Sequence, residues 1–443
     1  MSLYELRDPI HKRIAFSDEE RLIIDHPFVQ RLRFVSQLGF VLSYVYPGGI
    51  HNRFTHALGA MHIAGRLFNQ FMTSTDIFRE RLDENEIVFL RSCVRFGGLL
   101  HDVGHGPFSH ASEVVFPPLN SLALDLSWWK NSSLPTPGVG NERDRQAKHE
   151  DYSVLLIQTM AKEGALTIDM AQAICSLIHG QIQPSSTFEK IAKKIPSLPF
   201  VLKSIISGEL DCDRMDYLLR DSYFCGVAYG QFDMDWLISA MSVAEQDGSL
   251  ILMISENGVR AFEDFLLARY HMIDQVYFHK TAAGFVHMLE QAFRTDEIDL
   301  RIPSDPYAYA DLRDDHVIEQ LFLAAKNENN YWSHHLMHRT AAKRILRLHD
   351  QRFEDQQTLT TLIRACEKEG IGYFIHSATN AFSKLGENEE QNTLYVHKRT
   401  LNGFVNIPMF EYSDLLQKYN EKLQFKDFFV LREDFERFEK MVK

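Results

Sequence analysis

The segment His101-Asp102-Val103-Gly104-His105-Gly106-Pro107-Phe108-Ser109-His110 closes an apolar run and sets three imidazoles and a carboxylate side by side. An adjacent His-Asp pair can offer one nitrogen and one oxygen to the same divalent ion, a donor mix suited to the borderline-to-hard metals that activate water. Gly104, Gly106 and Pro107 break the helix that the run predicts over 84–103. His105 and His110 are therefore expected on a turn beside the metal, not along a buried helix face.

Outward from this segment the chain reads as mainly α. Ser17 ahead of Glu19 and Glu20 starts a helix over 17–45, with Leu22, Ile23, Ile24, Phe28, Leu32, Val35 and Leu38 on its apolar side. Pro27 splits it in two. After the turn Tyr46-Pro47-Gly48-Gly49-Ile50, helical periodicity returns over 56–73. Further helices are expected over 151–180, 199–224, 231–243 and 258–295. An Asp247-Gly248 hairpin turn leads into the strand Leu250 to Ile254. Residues 130–148 have loop composition, either a plain surface loop or a mobile flap over a cleft. Beyond about residue 300 the pattern is mixed, helical over 304–384. Short alternating runs such as Thr393-Leu394-Tyr395-Val396 and Phe428-Phe429-Val430-Leu431 follow. The expected division is a helical core over 1–300 and a small α+β C-terminal domain over 301–443.

Composition bounds the function. Apolar residues at 45% and charged residues at 24% are globular values, and 32 phenylalanines favour packed helices. The net charge of −13 argues against nucleic acid as the main substrate, because sequence-independent binding draws its affinity from neutralised phosphates. It leaves room for a small anionic substrate in a pocket of Arg, Lys and metal. The five scattered cysteines include no C-x-x-C pair, so neither a disulfide framework nor a zinc knuckle is expected, and a reducing cytoplasm fits. No basic leader with an apolar core opens the sequence, and no apolar run approaches the ~18 residues of a membrane span. A soluble, unexported protein is expected.

Four segments far apart supply candidate metal ligands: His56 within Arg53-Phe54-Thr55-His56-Ala57-Leu58-Gly59, the His101-Asp102 pair, His149-Glu150-Asp151, and Asp213 within Asp211-Cys212-Asp213-Arg214-Met215-Asp216-Tyr217. Taken singly, each is equally readable as a satisfied core histidine or a solvated acidic face, and together as a purely structural polar cluster.

The order H…HD…D, each member abutting an apolar helix, resembles the HD-domain metal-dependent phosphohydrolases. Four longer matches narrow the resemblance: Arg53-Phe54-x-His56-x-Leu58-Gly59, His101-Asp102-x-Gly104-His105-Gly106-Pro107-Phe108-Ser109-His110, Asp213-Arg214-Met215-Asp216-Tyr217-Leu218-x-Arg220-Asp221 and Tyr277-x-His279-Lys280. Over residues 4–295 the chain is similar to the deoxynucleoside triphosphate triphosphohydrolases, the group of bacterial dGTPase-like enzymes and the human SAM-and-HD-domain enzyme. The resemblance implies an HD-domain helical core. It also implies a divalent metal (Mn, Fe, Mg or Zn) held by His56, His101, Asp102 and Asp213, with open positions for water and a phosphate oxygen.

The implied reaction releases deoxynucleoside and inorganic triphosphate from a deoxynucleoside triphosphate. His105, His110 and His149 then contact the α-phosphate or protonate the leaving 5′-oxygen, with His110 ahead of His149 as the acid and Glu113 placed to orient one of them. Arg53 and Lys280 are implied phosphate contacts, by fork and by point charge. Tyr217, Asp221, Arg269, Tyr277 and His279 match sugar and phosphate contacts, and Gln37 and Leu38 a pair near the 3′-hydroxyl and base. Asp25, Gln30 and Arg33 match residues that hold a guanine-nucleotide activator between subunits of a homodimer or homotetramer. Arg7, where those enzymes carry Asn, and Ser255-Glu256-Asn257, in place of basic residues, depart from the pattern at a second activator site. The rivals are an HD-domain phosphodiesterase or nucleotidase acting on another phosphate ester, and a catalytically idle nucleotide sensor.

Overall fold

The computed structural model of the protein describes residues 3–130, 145–380, 382, 383, 385, 394–419 and 423–442. Most of the loop expected over 130–148, with its possible role as a flap, lies outside these residues. The architecture is mainly α-helical, with three small sheets among the described residues.

The chain opens on an antiparallel hairpin that the sequence reading did not anticipate, β1 (Leu3–Asp8) and β2 (Lys12–Ser17). In its turn, Asp8 Oδ1 accepts from the amides of Ile10 and His11, both at 2.9 Å. Ser17 and Glu20 then form a capping box that starts α1 (Asp18–Ile24), as the Ser-x-x-Glu spacing suggests. Pro27 begins a new turn, Pro27–Gln30, but the rest of the helix expected to residue 45 becomes two 3-10 turns, Arg31–Phe34 and Phe40–Tyr44. The reason is local and tertiary at once. Gly39 takes a φ of 68°, and the Ser36 amide and hydroxyl both donate to Asp314, at 2.9 and 2.6 Å, across the core.

Helix α2 (Arg53–Ser74) is capped by Asn52, and α3 (Glu84–Leu100) by an Asp83–Glu86 capping box. Each of the next two expected helices is a pair. Gly164, at φ 82°, separates α4 (His149–Lys162) from α5 (Ile168–Ile178). The Asp211 cap starts α7 (Cys212–Cys225) after α6 (Leu198–Ser207). Helix α8 (Met234–Ala240) runs into β3 (Met241–Gln246), which turns through Asp247 and Gly248, both at positive φ, into β4 (Ser249–Ser255). The helix expected over 258–295 is broken by a π-helical turn, Ile273–Tyr277, between α9 (Val259–Met272) and α10 (Lys280–Arg294).

Five strands follow: β5 (Lys343–His349), β6 (Tyr373–Asn380), β7 (Leu394–Thr400), β8 (Gly403–Pro408) and β9 (Leu423–Val430). β9 sits between β5 and β6, antiparallel to both. β7 pairs parallel with β4 and antiparallel with β8, so the last quarter of the chain extends the sheet begun by the β3–β4 hairpin. The main apolar cluster joins Phe28, Leu99, Tyr152 and Phe285 to Tyr309, Leu321 and Phe429. No helix among the described residues is long and apolar enough to cross a membrane.

His287 on α10 stacks on Phe374, ring centroids 3.7 Å apart, and burial, aided by His376 and Arg294, pushes its pKa down to about 4. The unfolded chain takes up this proton near pH 6.5 and the folded chain only near 4, so the group's contribution to stability declines as pH falls through that interval and levels off below it. Urea unfolding at pH 7 and pH 4.5 is expected to show a loss that His287→Leu reduces by ~1–3 kcal/mol. An unchanged pH dependence in the variant would contradict this.

Candidate metal centre and substrate cavity

Three helix ends converge. His56 lies in the first turns of α2, His101 caps the C-terminus of α3 with Asp102 next, and Asp213 occupies the first turn of α7. Buried His56 donates from Nδ1 to Asp216 Oδ2 at 2.8 Å, and its Nε2 stands 3.0 Å from Asp213 Oδ1 and 3.6 Å from Asp102 Oδ2. His101 donates from Nδ1 to the Gly98 carbonyl at 2.9 Å, and its Nε2 stands 3.4 Å from Asp213 and 3.3 Å from Asp102. Neither Nε2 has a hydrogen-bond partner. With both Nδ1 atoms committed elsewhere, the two Nε2 atoms and two carboxylates face one point, where a cation would take the place of any Nε2 proton. This set fits a divalent cation, and the ligating atoms of His56, His101 and Asp213 all lie within 4.8 Å of one another.

Acids and bases there hold one another in their charged forms. Burial opposes a charged His56, yet the Asp213 and Asp216 carboxylates lift its pKa to about 10. Burial likewise opposes ionisation of Asp102, and His101, Arg53 and His105 nevertheless hold its carboxyl well below the usual range.

A second cluster adjoins the first through Asp102, whose Oδ1 is 3.3 Å from His105 Nε2. His105 stacks face to face on His149 with centroids 3.8 Å apart. Glu113 Oε1 accepts from His149 Nδ1 at 2.6 Å and from His110 Nδ1 at 3.0 Å, so one carboxylate orients two imidazoles. Although burial works against it, these two partners bring the Glu113 pKa down to about 2. His105 and His149 are largely buried, whereas His110 is exposed at the edge of a cavity.

That cavity, of about 480 Å³, is lined by Gln37, Leu38, Arg53, Tyr217, Asp221 and Tyr277 among others. Arg53 ties it to the first cluster, donating from Nη1 to Asp102 and from Nε to Ser109 Oγ at 2.9 Å. Tyr277 donates to Asp221 Oδ2 at 2.7 Å, and His51 holds the other oxygen at 2.7 Å. Gln37 Oε1 is buried without a partner. Three other candidates are not among the lining residues. Arg269 is paired with Glu209 at 3.3 Å, His279 caps α10, and Lys280 begins that helix on the surface. Of the candidate activator residues, Arg33 donates to Gln30 at 2.7 Å and covers the Phe54 ring, while exposed Asp25 pairs with Arg21 at 3.5 Å.

Two glycines of the motifs are there for space. A Cβ on Gly59 would fall 1.8 Å from Asp216 Oδ1, and one on Gly104 would fall 2.2 Å from both the His149 carbonyl and the Ser153 amide. Gly104 thus lets α4 lie against the His-Asp turn.

Several supporting residues escaped the sequence reading. Asp216 and Arg220 stood inside a quoted motif, three and seven residues after Asp213 on one helix face, and that spacing was a usable signal. Asp8, His11, His51 and Asp314 gave none. Asp314 accepts from the Phe108 amide at 2.9 Å as well as from Ser36, and so clamps two cavity-lining loops together.

Histidines and aspartates gathered from three helix ends beside a mostly apolar cavity with a few polar side chains make this a candidate hydrolytic metal centre on an α-helical scaffold. The HD-domain family model matches residues 53–221, and the model of the HD-associated region matches 232–370. Among curated relatives, the uncharacterised protein YwfO of Bacillus subtilis is 34% identical over 279 residues, 62% of this chain and 51% of its own. Deoxynucleoside triphosphate triphosphohydrolase SAMHD1 of Bos taurus is 30% identical over 291 residues, 65% of this chain and 46% of its own. A solved hypothetical protein from Aquifex aeolicus superposes with a TM-score of 0.73 at 25% identity, each chain covered over 100%. A phosphohydrolase from Bacteroides thetaiotaomicron gives a TM-score of 0.68 at 22% identity, covering 97% of this chain and 100% of its own, and shares the fold. The chain belongs to the HD-domain family and is related to its deoxynucleoside triphosphate triphosphohydrolases. It spans about half the length of the curated relatives it matches.

Proposed function

We propose that the protein hydrolyses deoxynucleoside triphosphates to deoxynucleoside and inorganic triphosphate. The observation that carries this reading is Arg53, which donates to the proposed ligand Asp102 and also lines the cavity, joining a cation pocket to a space of nucleotide size. The proposed ligands are His56, His101, Asp102 and Asp213. A bound divalent cation would polarise the α-phosphate and lower the pKa of water there, and its identity among Mn, Fe, Mg and Zn is part of the test.

In the proposal the chain's own residues do the rest. Arg53 orients a phosphate oxygen, and His105 and His149 face the α-phosphate. Tyr277, fixed by Asp221 and His51, forms the wall against the sugar, with Gln37 and Leu38 toward the 3′-hydroxyl. Glu113 holds the Nδ1 proton of His110, leaving its Nε2 to protonate the departing oxygen. A water oxygen bonds to the α-phosphorus as the bond from phosphorus to the 5′-oxygen breaks; the proton from His110 neutralises that oxygen, and the proton lost by the water returns to His110 through solvent. Arg269, His279 and Lys280 remain candidates for outer contacts, and Asp25, Gln30 and Arg33 for a guanine-nucleotide activator in a homodimer or homotetramer. The setting proposed is a reducing cytoplasm, where the five cysteines, all free, stay reduced.

The test incubates the purified protein with each of the four dNTPs and Mn²⁺ or Mg²⁺, with and without GTP, and resolves the products. Triphosphate with deoxynucleoside is expected. Monophosphate with pyrophosphate, or no turnover under any condition, sinks the reading. His110→Ala is expected to lower kcat ~10²–10⁴-fold with metal content unchanged.

A further inference from the structure

Behind the metal pocket lies a buried polar chain that reaches the N-terminal hairpin. Asp216 receives four donors. His56 Nδ1 and Arg220 Nε point to Oδ2, both at 2.8 Å. His11 Nε2 at 2.6 Å and Arg220 Nη2 at 2.9 Å point to Oδ1. Arg220 also reaches back to Asp8 Oδ2 at 2.8 Å, and Asp8 in turn holds the amide of His11. The side chains of His11, Asp216 and Arg220 are 0% exposed, and Asp8 is buried with them.

A carboxylate whose oxygens both accept only from N–H groups has a fixed orientation. It compels His56 to carry its proton on Nδ1, which leaves the Nε2 lone pair for a cation. Arg220 spans both oxygens from the same helix as Asp216, whereas His11 holds Oδ1 from outside that helix, out of a turn whose amides donate to Asp8.

We propose that His11 is a positioning residue for the metal centre: through Asp216 it sets the tautomer and angle of His56, so the N-terminal hairpin turn is a working part of the site. The inference depends on the cation pocket and not on the identity of the substrate.

The comparison that isolates the hydrogen bond is His11→Met against His11→Gln. Both side chains fill the space, and only glutamine keeps a donor. Metal-free full-length protein is titrated with Mn²⁺, reading free ion by electron paramagnetic resonance, and with Co²⁺, reading visible absorption. H11M is expected to bind Mn²⁺ ~10-fold or more weakly and to shift the Co²⁺ bands, with H11Q restored to within ~3-fold of the unaltered protein. Equal Mn²⁺ affinity and unchanged Co²⁺ bands in H11M, whatever its thermal stability, would overturn the proposal and leave His11 a packing residue. If H11M does not fold, the unaltered protein decides. Because coupling is reciprocal, Mn²⁺ must slow amide exchange at Ile10 and His11. Unchanged exchange in the turn at saturating metal overturns the proposal equally.

Discussion

Asp213→Ala is expected to abolish tight divalent-cation binding and to cut metal-dependent turnover by ~10³-fold or more. Asp213 Oδ1 is the one carboxylate oxygen close to both orphaned imidazole nitrogens, 3.0 Å from His56 and 3.4 Å from His101. Asp102 cannot replace it, because Arg53 already draws on that carboxylate. The substitution shortens a helix-start side chain and leaves the Asp211 cap in place, so the fold should survive. Metal stoichiometry by plasma mass spectrometry, alongside circular dichroism, is the measurement. One tightly bound ion per folded D213A chain would remove Asp213 from the ligand set.

Arg220→Met has the largest expected effect on stability. The fully buried guanidinium stands between Asp8 and Asp216, bonded to both, and the methionine leaves two buried carboxylates without their cation. Breaking a buried pair from one side costs ~3–5 kcal/mol, because the remaining charge stays desolvated. Urea unfolding of the metal-free protein should show that loss, with Arg220→Lys intermediate, since an ammonium cannot span both oxygens of Asp216. A loss below ~1 kcal/mol would mean that water or rearranged donors satisfy the acids.

What the sequence disclosed and what it withheld divide along the range of the interactions. The capping box at Ser17, the helices that begin near Asn52 and Asp83, and the Asp247-Gly248 turn are decided within a few residues, and their signals were plain. The grouping of His56, His101, Asp102 and Asp213 was expected from the resemblance of their motifs to the HD-domain phosphohydrolases, since each residue taken singly reads as well as a core histidine or a solvated acid. The fate of residues 31–45 was not. Their helical pattern yields to the grip of Asp314 on Ser36, a partner 278 residues away, and no local rule reports it. The parallel pairing of β7 with β4 is equally non-local, as alternating residues announce a strand and not its neighbour. His11 illustrates the limit most clearly. It looks like an ordinary turn residue beside Pro9 and Ile10, and only its bond to Asp216, 205 residues onward, reveals a use.

The Asp314 clamp also bears on how the protein is made. The loops at Ser36 and Phe108 are held by a carboxylate that leaves the ribosome long after them. At ~5–20 residues per second, the interval between synthesis of His56 and of Asp314 is on the order of 10–50 s. Throughout it the imidazoles exist without Asp213 and then without the clamped loops, as an incomplete chelator open to whichever ion is abundant. In order of synthesis, the His56, His101 and Asp102 side of the pocket therefore precedes both Asp213 and the carboxylate that clamps the loops beside it.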